Sequence, residues 1–154
     1  MINAELALRI VRESKVIVYD TETTGLTVTG SIIGHVIADR DNSVYVPVRH
    51  EGGGNIPDAD GFEAALAATF LERGRLGYRT VGHNLGFDLR IATRHGIILC
   101  SPLEDTMINE ALINDLTVGY GLDKCAERRG IPAKKGAQMK SQMRIFQNTA
   151  RFRD

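Results

Sequence analysis

Residues 19–25 read YDTETTG and continue a short β-branched run, KVIVYD, at residues 15–20. A run of this kind predicts a buried strand. Asp20 and Glu22 are two positions apart, so on a strand their carboxylates point to the same face, about 6.5 Å apart. Two carboxylates placed in this way can hold a hard cation at the edge of a sheet. The same residues also suit a strand that ends in solvent beside a threonine-rich turn.

A second polar stretch reads VGHNLGFD at residues 81–88. The pattern predicts a strand over residues 78–84 and a helix over residues 86–95, which Gly96 closes. Asp88 follows Asn84 by four positions and is expected on the same helix face. This spacing brings an amide and a carboxylate together where a strand gives way to a helix. The alternative is structural: Asn84 caps the helix, and Asp88 adds a favourable charge to its first turn.

The remaining patterns predict an α/β fold. Residues 30–39 and 43–48 are two more strands joined by a turn at Asp41 and Asn42, and Pro47 suits an edge position. With a fifth strand over residues 97–100, we expect a mixed five-stranded sheet, three antiparallel strands and then two parallel ones, flanked by helices. Helices are expected over residues 4–13 after an Asn3 cap, from Asp58 or Asp60 to Arg73, over residues 105–114 and 122–129, and around Met139, Met143 and Phe146.

In this arrangement the strands that end near Asp20 and Asn84 are parallel neighbours, so their carboxyl ends meet at one edge of the sheet. Open α/β sheets usually place their sites at that edge. Asp20, Glu22 and Asp88 would repel one another there unless cations neutralise them. The pattern therefore predicts a centre for two divalent metal ions, Mg²⁺ or Mn²⁺, which is typical of phosphodiester chemistry.

Length and composition indicate one globular domain over residues 1–154. The chain has 154 residues, of which 43% are hydrophobic and 25% charged, and these values exclude a disordered or fibrous protein. No apolar run approaches the roughly 20 residues of a membrane span, and acids interrupt the apolar pattern of the N-terminus, unlike in a signal peptide. Cys100 and Cys125 form no CxxC pair and are expected to be buried thiols. We expect a cytoplasmic protein without a membrane partner.

The balanced net charge hides an asymmetry. Residues 1–127 hold 11 Lys and Arg against 18 Asp and Glu, whereas residues 128–154 hold 8 basic residues and one acid, Asp154. A basic segment on an acidic body can contact the phosphates of a nucleic acid. It can equally be a solvated helix face, or a tail that docks on the acidic body.

YDTETTG, VGHNLGFD and then EDTM at residues 104–107 together resemble the DEDD 3′–5′ exonucleases, in particular the proofreading domain of family A DNA polymerases and its phage versions. PVRHEGGGNIP at residues 47–57 and GLDKCAERRG at residues 121–130 are also similar to that subfamily. The resemblance implies an RNase H-like fold and a DNA 3′ end as substrate. It also implies a polymerase domain or chain as a partner, in a bacterial or phage-infected cytoplasm.

Carried over residue by residue, the resemblance makes Asp20, Glu22 and Asp88 the catalytic and metal-binding acids. Glu22 would also orient the attacking water. Asp105 is interpreted as a structural cap of its helix. The positions that would contact the substrate are Thr21, Thr23, Leu26, His83, Asn84 and Phe87.

The sequence departs from the family in one motif. The family's third motif, YxxxD or HxxxD, supplies a fourth acid and the group that positions the water. Neither GYGLD at residues 119–123 nor ARFRD at residues 150–154 fits it. His35, His50 and His83 are candidate substitutes for the water-positioning group, although each also suits a surface or capping role.

Three readings of this gap remain. The chain is a fragment or one part of a split gene, or it is a degenerate exonuclease, or another residue replaces the missing acid. Besides an active 3′–5′ exonuclease, we therefore consider a non-catalytic module that binds nucleic acid or a protein partner. An RNase H-like endonuclease is a third alternative, against which the DxET motif argues.

Overall fold

The computed structural model describes residues 2–131 apart from 26, 28, 101 and 117. A five-stranded sheet and five helices occur in this part of the chain. None of these helices combines the length and apolarity needed to cross a membrane. The strands are β1 (Val16–Thr23), β2 (Ile32–Ala38), β3 (Ser43–Pro47), β4 (Arg79–Gly82) and β5 (Leu103–Asp105). The helices are α1 (Ile2–Glu13), α2 (Ala59–Leu76), α3 (Leu85–Arg94), α4 (Thr106–Ile113) and α5 (Leu122–Arg128).

The strands are ordered β3-β2-β1-β4-β5 across the sheet. β1 pairs antiparallel with β2 and parallel with β4, and β4 pairs parallel with β5. This confirms the predicted mixed sheet and the predicted adjacency of the two strands that carry the motifs. β3 lies at one edge and ends at Pro47, which agrees with the lack of an amide donor at proline.

The two faces of β1 differ in burial. Ile17 and Tyr19 are fully buried, whereas Val16 and Val18 are 49% and 44% exposed. The buried face packs with α1, α2 and α3 around Leu66, Phe70 and Ile91 and forms the core of the described residues. Asp20 and Glu22 alternate in phase with Val16 and Val18, so both acids lie on the less covered face.

α2 has defined ends and a buried arginine. The Asp58 side chain accepts a hydrogen bond from the Gly61 amide, and Gly77 ends the helix in the left-handed region at φ 66°. The buried Arg73 guanidinium donates hydrogen bonds of 2.6 Å to the carbonyls of Val11, Ser14 and Arg79. Three backbone acceptors therefore fix α2 against the end of α1 and the start of β4.

Two predictions of local structure were wrong. The fifth strand is Leu103–Asp105 instead of residues 97–100, where Ile97 and Leu99 are buried but not in the sheet. Asn3 lies inside α1 and donates to the Tyr45 carbonyl at 3.2 Å instead of capping the helix.

The prediction that both cysteines are buried was also wrong, because Cys100 is exposed and only Cys125 is buried. The helix predicted around Met139, Met143 and Phe146 lies outside the described residues.

Candidate functional site

β1 extends to Thr23, three residues beyond the predicted strand end, so Asp20 and Glu22 both lie within the sheet. Their Cα partners in β2 are Val36 and Gly34, and the register shifts after Glu22. Such an irregularity bends a strand and changes the direction of its next side chain. The two acids are therefore held by regular pairing, and the chain leaves the sheet just after them. The Thr23 hydroxyl then donates to the Gly25 carbonyl at 2.8 Å, in the turn that follows.

Asp88 comes from the first turn of α3 and is only 2% exposed. Its Oδ1 accepts two hydrogen bonds from Thr21, one from the backbone amide at 2.9 Å and one from the hydroxyl at 2.6 Å. Thr21 points to the opposite side of β1 from its neighbours Asp20 and Glu22, where it is buried. Asp88 of the VGHNLGFD motif is thus hydrogen-bonded to Thr21, in the middle of the YDTETTG motif.

The buried Asp88 carboxyl has an unusual pKa. Burial raises this pKa to about 6, the Thr21 hydrogen bonds oppose the rise, and the negative charge of Asp20 adds to it. Asp20 and Asp88 are therefore close enough to interact electrostatically. A carboxylate buried beside another carboxylate gains stability from a bound cation.

The donor chemistry suits a hard divalent cation, because the side chains at this edge offer carboxylate oxygens. Within the described ranges, however, no three His, Cys, Asp or Glu side chains are grouped so that they could hold an ion. Asp20 and Asp88 interact electrostatically. Glu22 instead affects Tyr45: burial and the negative charge of Glu22 raise the pKa of the Tyr45 hydroxyl to about 12. Asp20 and Asp88 are thus near each other, and Glu22 is near Tyr45 of β3.

The turn before α3 is held by an acid from β5. Asn84 adopts the left-handed conformation at φ 59°, and its exposed side chain makes no capping hydrogen bond. Asp105 accepts hydrogen bonds from the amides of Asn84 at 3.0 Å and Leu85 at 2.8 Å. It also accepts from the Met107 amide at 2.9 Å and so caps α4, as predicted. Because Asp105 accepts the hydrogen bonds of the turn amides, the Asn84 side chain is not needed to cap α3.

The candidate histidines have different surroundings. His35 is fully buried between the Tyr19 hydroxyl at 3.0 Å and Glu63 at 3.1 Å, so its role is structural. The Nδ1 of His83 lies 2.9 Å from the Thr106 hydroxyl, and its Nε2 is buried without a hydrogen-bond partner among the described residues. His50 follows β3 and is partly exposed, and its Nε2 pairs with the Tyr45 hydroxyl.

Of the two remaining predicted contacts, Phe87 and Leu26, only Phe87 lies within the described residues. Phe87 is partly buried and packs against the core, with part of its side chain exposed. Tyr45 was not among the predicted site residues; the alternation of Val44, Tyr45 and Val46 predicted two strand faces but not which of them carries the acids.

The start of the basic segment is tied to the body of the protein. The Nε of Arg128 lies 3.0 Å from a Glu110 carboxylate oxygen, and Arg129 pairs with the other oxygen of Glu110. These contacts match the docking alternative for the first two basic residues. The other basic residues of the segment lie outside the described residues.

The chain is similar to a known protein family and to a phage protein. The model of a 3′–5′ exonuclease family of the DNA polymerase A type matches residues 2–145. A DNA-directed DNA polymerase of Pseudomonas phage M6 is 33% identical over 99 residues, which are 63% of this chain and 14% of that polymerase.

Solved structures show the same fold at low identity. RNase D of Escherichia coli is 21% identical, with a TM-score of 0.58 over 86% of this chain and 32% of its own. Brucella melitensis NrnC with bound Mg²⁺ is 18% identical, with a TM-score of 0.59 over 80% of this chain and 58% of its own. The chain thus covers little more than half of NrnC and a small part of the phage polymerase. It has the RNase H-like fold of the DEDD exonucleases, and it belongs to the 3′–5′ exonuclease family of the DNA polymerase A type.

Proposed function

We propose that this chain is a 3′–5′ exonuclease of the proofreading kind, which hydrolyses nucleotides from single-stranded DNA 3′ ends with two divalent metal ions. Membership of the exonuclease family and the similarity to a phage DNA polymerase support this proposal. The observation that carries it is the carboxylate of Asp88, which is buried, fixed by two hydrogen bonds from Thr21, and coupled to Asp20.

The side chains have separate roles in this proposal. Asp20, Glu22 and Asp88 would hold the metal ions, and Thr21 fixes the orientation of the Asp88 carboxylate. Glu22 completes the catalytic acids and orients the attacking water. When bound, Mg²⁺ or Mn²⁺ supplies the charge that lowers the pKa of a water and stabilises the leaving oxygen. Thr23, Leu26, His83, Asn84 and Phe87 are the proposed contacts of the terminal nucleotide.

The partner and the substrate follow from the relatives. The phage relative is a DNA polymerase, so we propose a polymerase domain or chain as the partner and DNA as the substrate. The structure of NrnC bound to pGG supports a nucleic acid as the substrate class. The exposed Asn84 side chain lies at the carboxyl edge of the sheet and suits a contact with the 3′ end of a DNA strand.

A time course on 5′-labelled single-stranded and 3′-recessed DNA, with Mn²⁺, Mg²⁺ or EDTA, tests the proposal. We expect a metal-dependent ladder that shortens from the 3′ end and is lost in Asp20→Ala. Asp41→Ala is the matched control, since Asp41 is an exposed acid in the turn between β2 and β3. An unchanged ladder in Asp20→Ala would exclude the mechanism. Cleavage of closed circular DNA would indicate an endonuclease instead.

A second candidate is a non-catalytic module that binds nucleic acid or a protein partner. It is favoured by the absence of a three-ligand metal group among the residues that the structure describes. This candidate predicts DNA binding that persists in EDTA and produces no ladder in either metal. Turnover by the purified wild-type chain excludes it.

A further inference from the structure

The aromatic ring of Tyr45 covers a glycine in the neighbouring strand. Gly34 in β2 has no side chain, and a Cβ added there would overlap the Tyr45 hydroxyl and the adjacent ring carbons. Tyr45 is not directly opposite Gly34: its Cα partner is Val36, and that of Gly34 is Pro47. The phenol therefore leans along the sheet and fills the position that a side chain at residue 34 would occupy.

The registers place this hydroxyl beside a proposed catalytic acid. Gly34 is the Cα partner of Glu22 in β1, and Val36 is that of Asp20. Directly paired residues point to the same face, so Tyr45 shares the face of Asp20 and Glu22. Adjacent strands are about 4.8 Å apart, and a phenol that covers Gly34 is next to the Glu22 side chain. The influence of the Glu22 charge on the pKa of Tyr45 agrees with this proximity.

His50 holds the phenol from the other side. Its Nε2 pairs with the Tyr45 hydroxyl, and the two rings meet edge to face at 5.8 Å between centroids. The backbone of His50 is itself fixed: its amide donates to the Asn55 side chain at 2.7 Å, and that side chain donates to the His50 carbonyl at 3.0 Å. The glycine-rich loop is thus closed by Asn55, which keeps His50 in place.

We propose that Tyr45, oriented by His50, is a positioning residue for the Glu22 carboxylate. In this arrangement His50 donates its Nε2–H to the phenol oxygen, and the phenol O–H donates to one carboxylate oxygen of Glu22. The other carboxylate oxygen would then serve the roles proposed for Glu22, to hold a metal ion and to orient the attacking water. The inference rests on the proposed function, and it gives His50, one of the three candidate histidines, an indirect role in place of direct contact with the water.

The contact is tested first without activity. The full chain is labelled at Cζ of tyrosine with ¹³C, and Tyr45→Phe identifies the Tyr45 signal among the four tyrosines. Glu22→Gln should move this signal and leave that of Tyr78 in place. Tyr78 precedes the amino end of β4, whereas the candidate site lies at the carboxyl end of that strand. Glu13→Gln, at the end of α1, is the control substitution and should move neither signal. A Tyr45 signal that is unchanged by Glu22→Gln overturns the proposal.

The positioning role is tested by kinetics and metal binding. Tyr45→Phe should lower kcat about tenfold with KM changed less than about twofold, and should weaken Mn²⁺ binding about tenfold, as is usual when a metal ligand loses its supporting hydrogen bond. His50→Ala should behave like Tyr45→Phe, and His50→Gln, which can still donate near the Nε2 position, should restore most of the rate. Gly34→Ala should also lower kcat, because it displaces the phenol without altering it.

Tyr78→Phe is the matched control for the loss of a tyrosine hydroxyl and should leave kcat unchanged. A wild-type rate and wild-type Mn²⁺ affinity in Tyr45→Phe would overturn the positioning role even if the NMR contact is present. Failure of the proposed function has a different signature. In that case the wild-type chain gives no ladder, while the ¹³C signal and the Mn²⁺ titration still decide whether Tyr45 positions Glu22.

Discussion

Replacement of Asp88 by asparagine should stabilise the metal-free protein at pH 7 while it abolishes nuclease activity. The carboxyl is 2% exposed, and its pKa is raised from 3.8 to about 6 by burial and by Asp20. A displacement of this size corresponds to a penalty of about 3 kcal/mol for the ionised carboxylate in the folded state. Asparagine keeps the Oδ1 acceptor for both Thr21 hydrogen bonds and removes the charge. The new amide donors offset part of the gain, so we expect about 2 kcal/mol.

The pH dependence separates this explanation from a simple packing effect. An acid whose folded pKa lies above its unfolded pKa destabilises the protein fully above pH 6, and the penalty disappears as the pH falls toward 3.8. Urea unfolding of the wild type and Asp88→Asn in EDTA should therefore differ at pH 7 and nearly coincide at pH 4. Adding Mn²⁺ at pH 7 should raise the midpoint of the wild type alone. A variant that is less stable than the wild type at pH 7, or equally stabilised at both pH values, would refute the reasoning.

Three other substitutions test the network around the site. Burial raises the pKa of Glu63, but hydrogen bonds from His35 and Arg49 outweigh it and lower the pKa to about 2. The stabilisation is present above pH 4.5 and is lost as the pH falls toward 2, so Glu63→Gln should cost about 3 kcal/mol at pH 7 and much less at pH 2.5, measured by urea unfolding. Asp105→Ala leaves three backbone amides without their acceptor and should cost about 2–3 kcal/mol in thermal unfolding, with a loss of exonuclease rate. Thr21→Val removes the 2.6 Å hydroxyl bond to the site carboxylate, which should raise the pKa of that carboxylate further. Its exonuclease rate should fall at pH 6.5 and recover at pH 8; a constant ratio to wild type across this range would contradict the assignment.

The sequence predicted the sheet better than it predicted its last strand. β1 and β4 are rich in β-branched residues and lead into polar motifs, so both the strands and their adjacency were predictable. Residues 97–100 are apolar because Ile97 and Leu99 fill the core, and this burial imitates the composition of a strand. Leu103–Asp105 contains two acids and an exposed leucine, and it pairs with β4 through its backbone and through one ion pair, between Glu104 and Arg79. Composition alone therefore pointed to the wrong segment.

The candidate site shows a similar limit. The predicted adjacency of the strands that lead into YDTETTG and VGHNLGFD brought Asp20, Glu22 and Asp88 to one sheet edge, and an interaction of Asp20 with Asp88 agrees with it. The link between Tyr45 and Glu22 depends on a missing side chain at Gly34 in the strand between them, and that relation appears only when the register is known. In the same way, a capping role for Asp105 was predictable locally, but its bonds to the turn at Asn84 were not.

The central position of β1 in the sheet has a consequence for the order in which the protein is made. β1, β2 and β3 follow one another in the chain, so this antiparallel unit can form early during synthesis. Asp88 follows Thr21 by 67 residues, and β4 and α3 must be translated before it arrives. A nascent chain therefore displays Asp20 and Glu22 on a partial sheet, before Asp88, the third acid of the proposed site, has been synthesised. Under the proposed function, the position of Asp88 on α3 delays nuclease chemistry until more than half of the 154 residues have been synthesised.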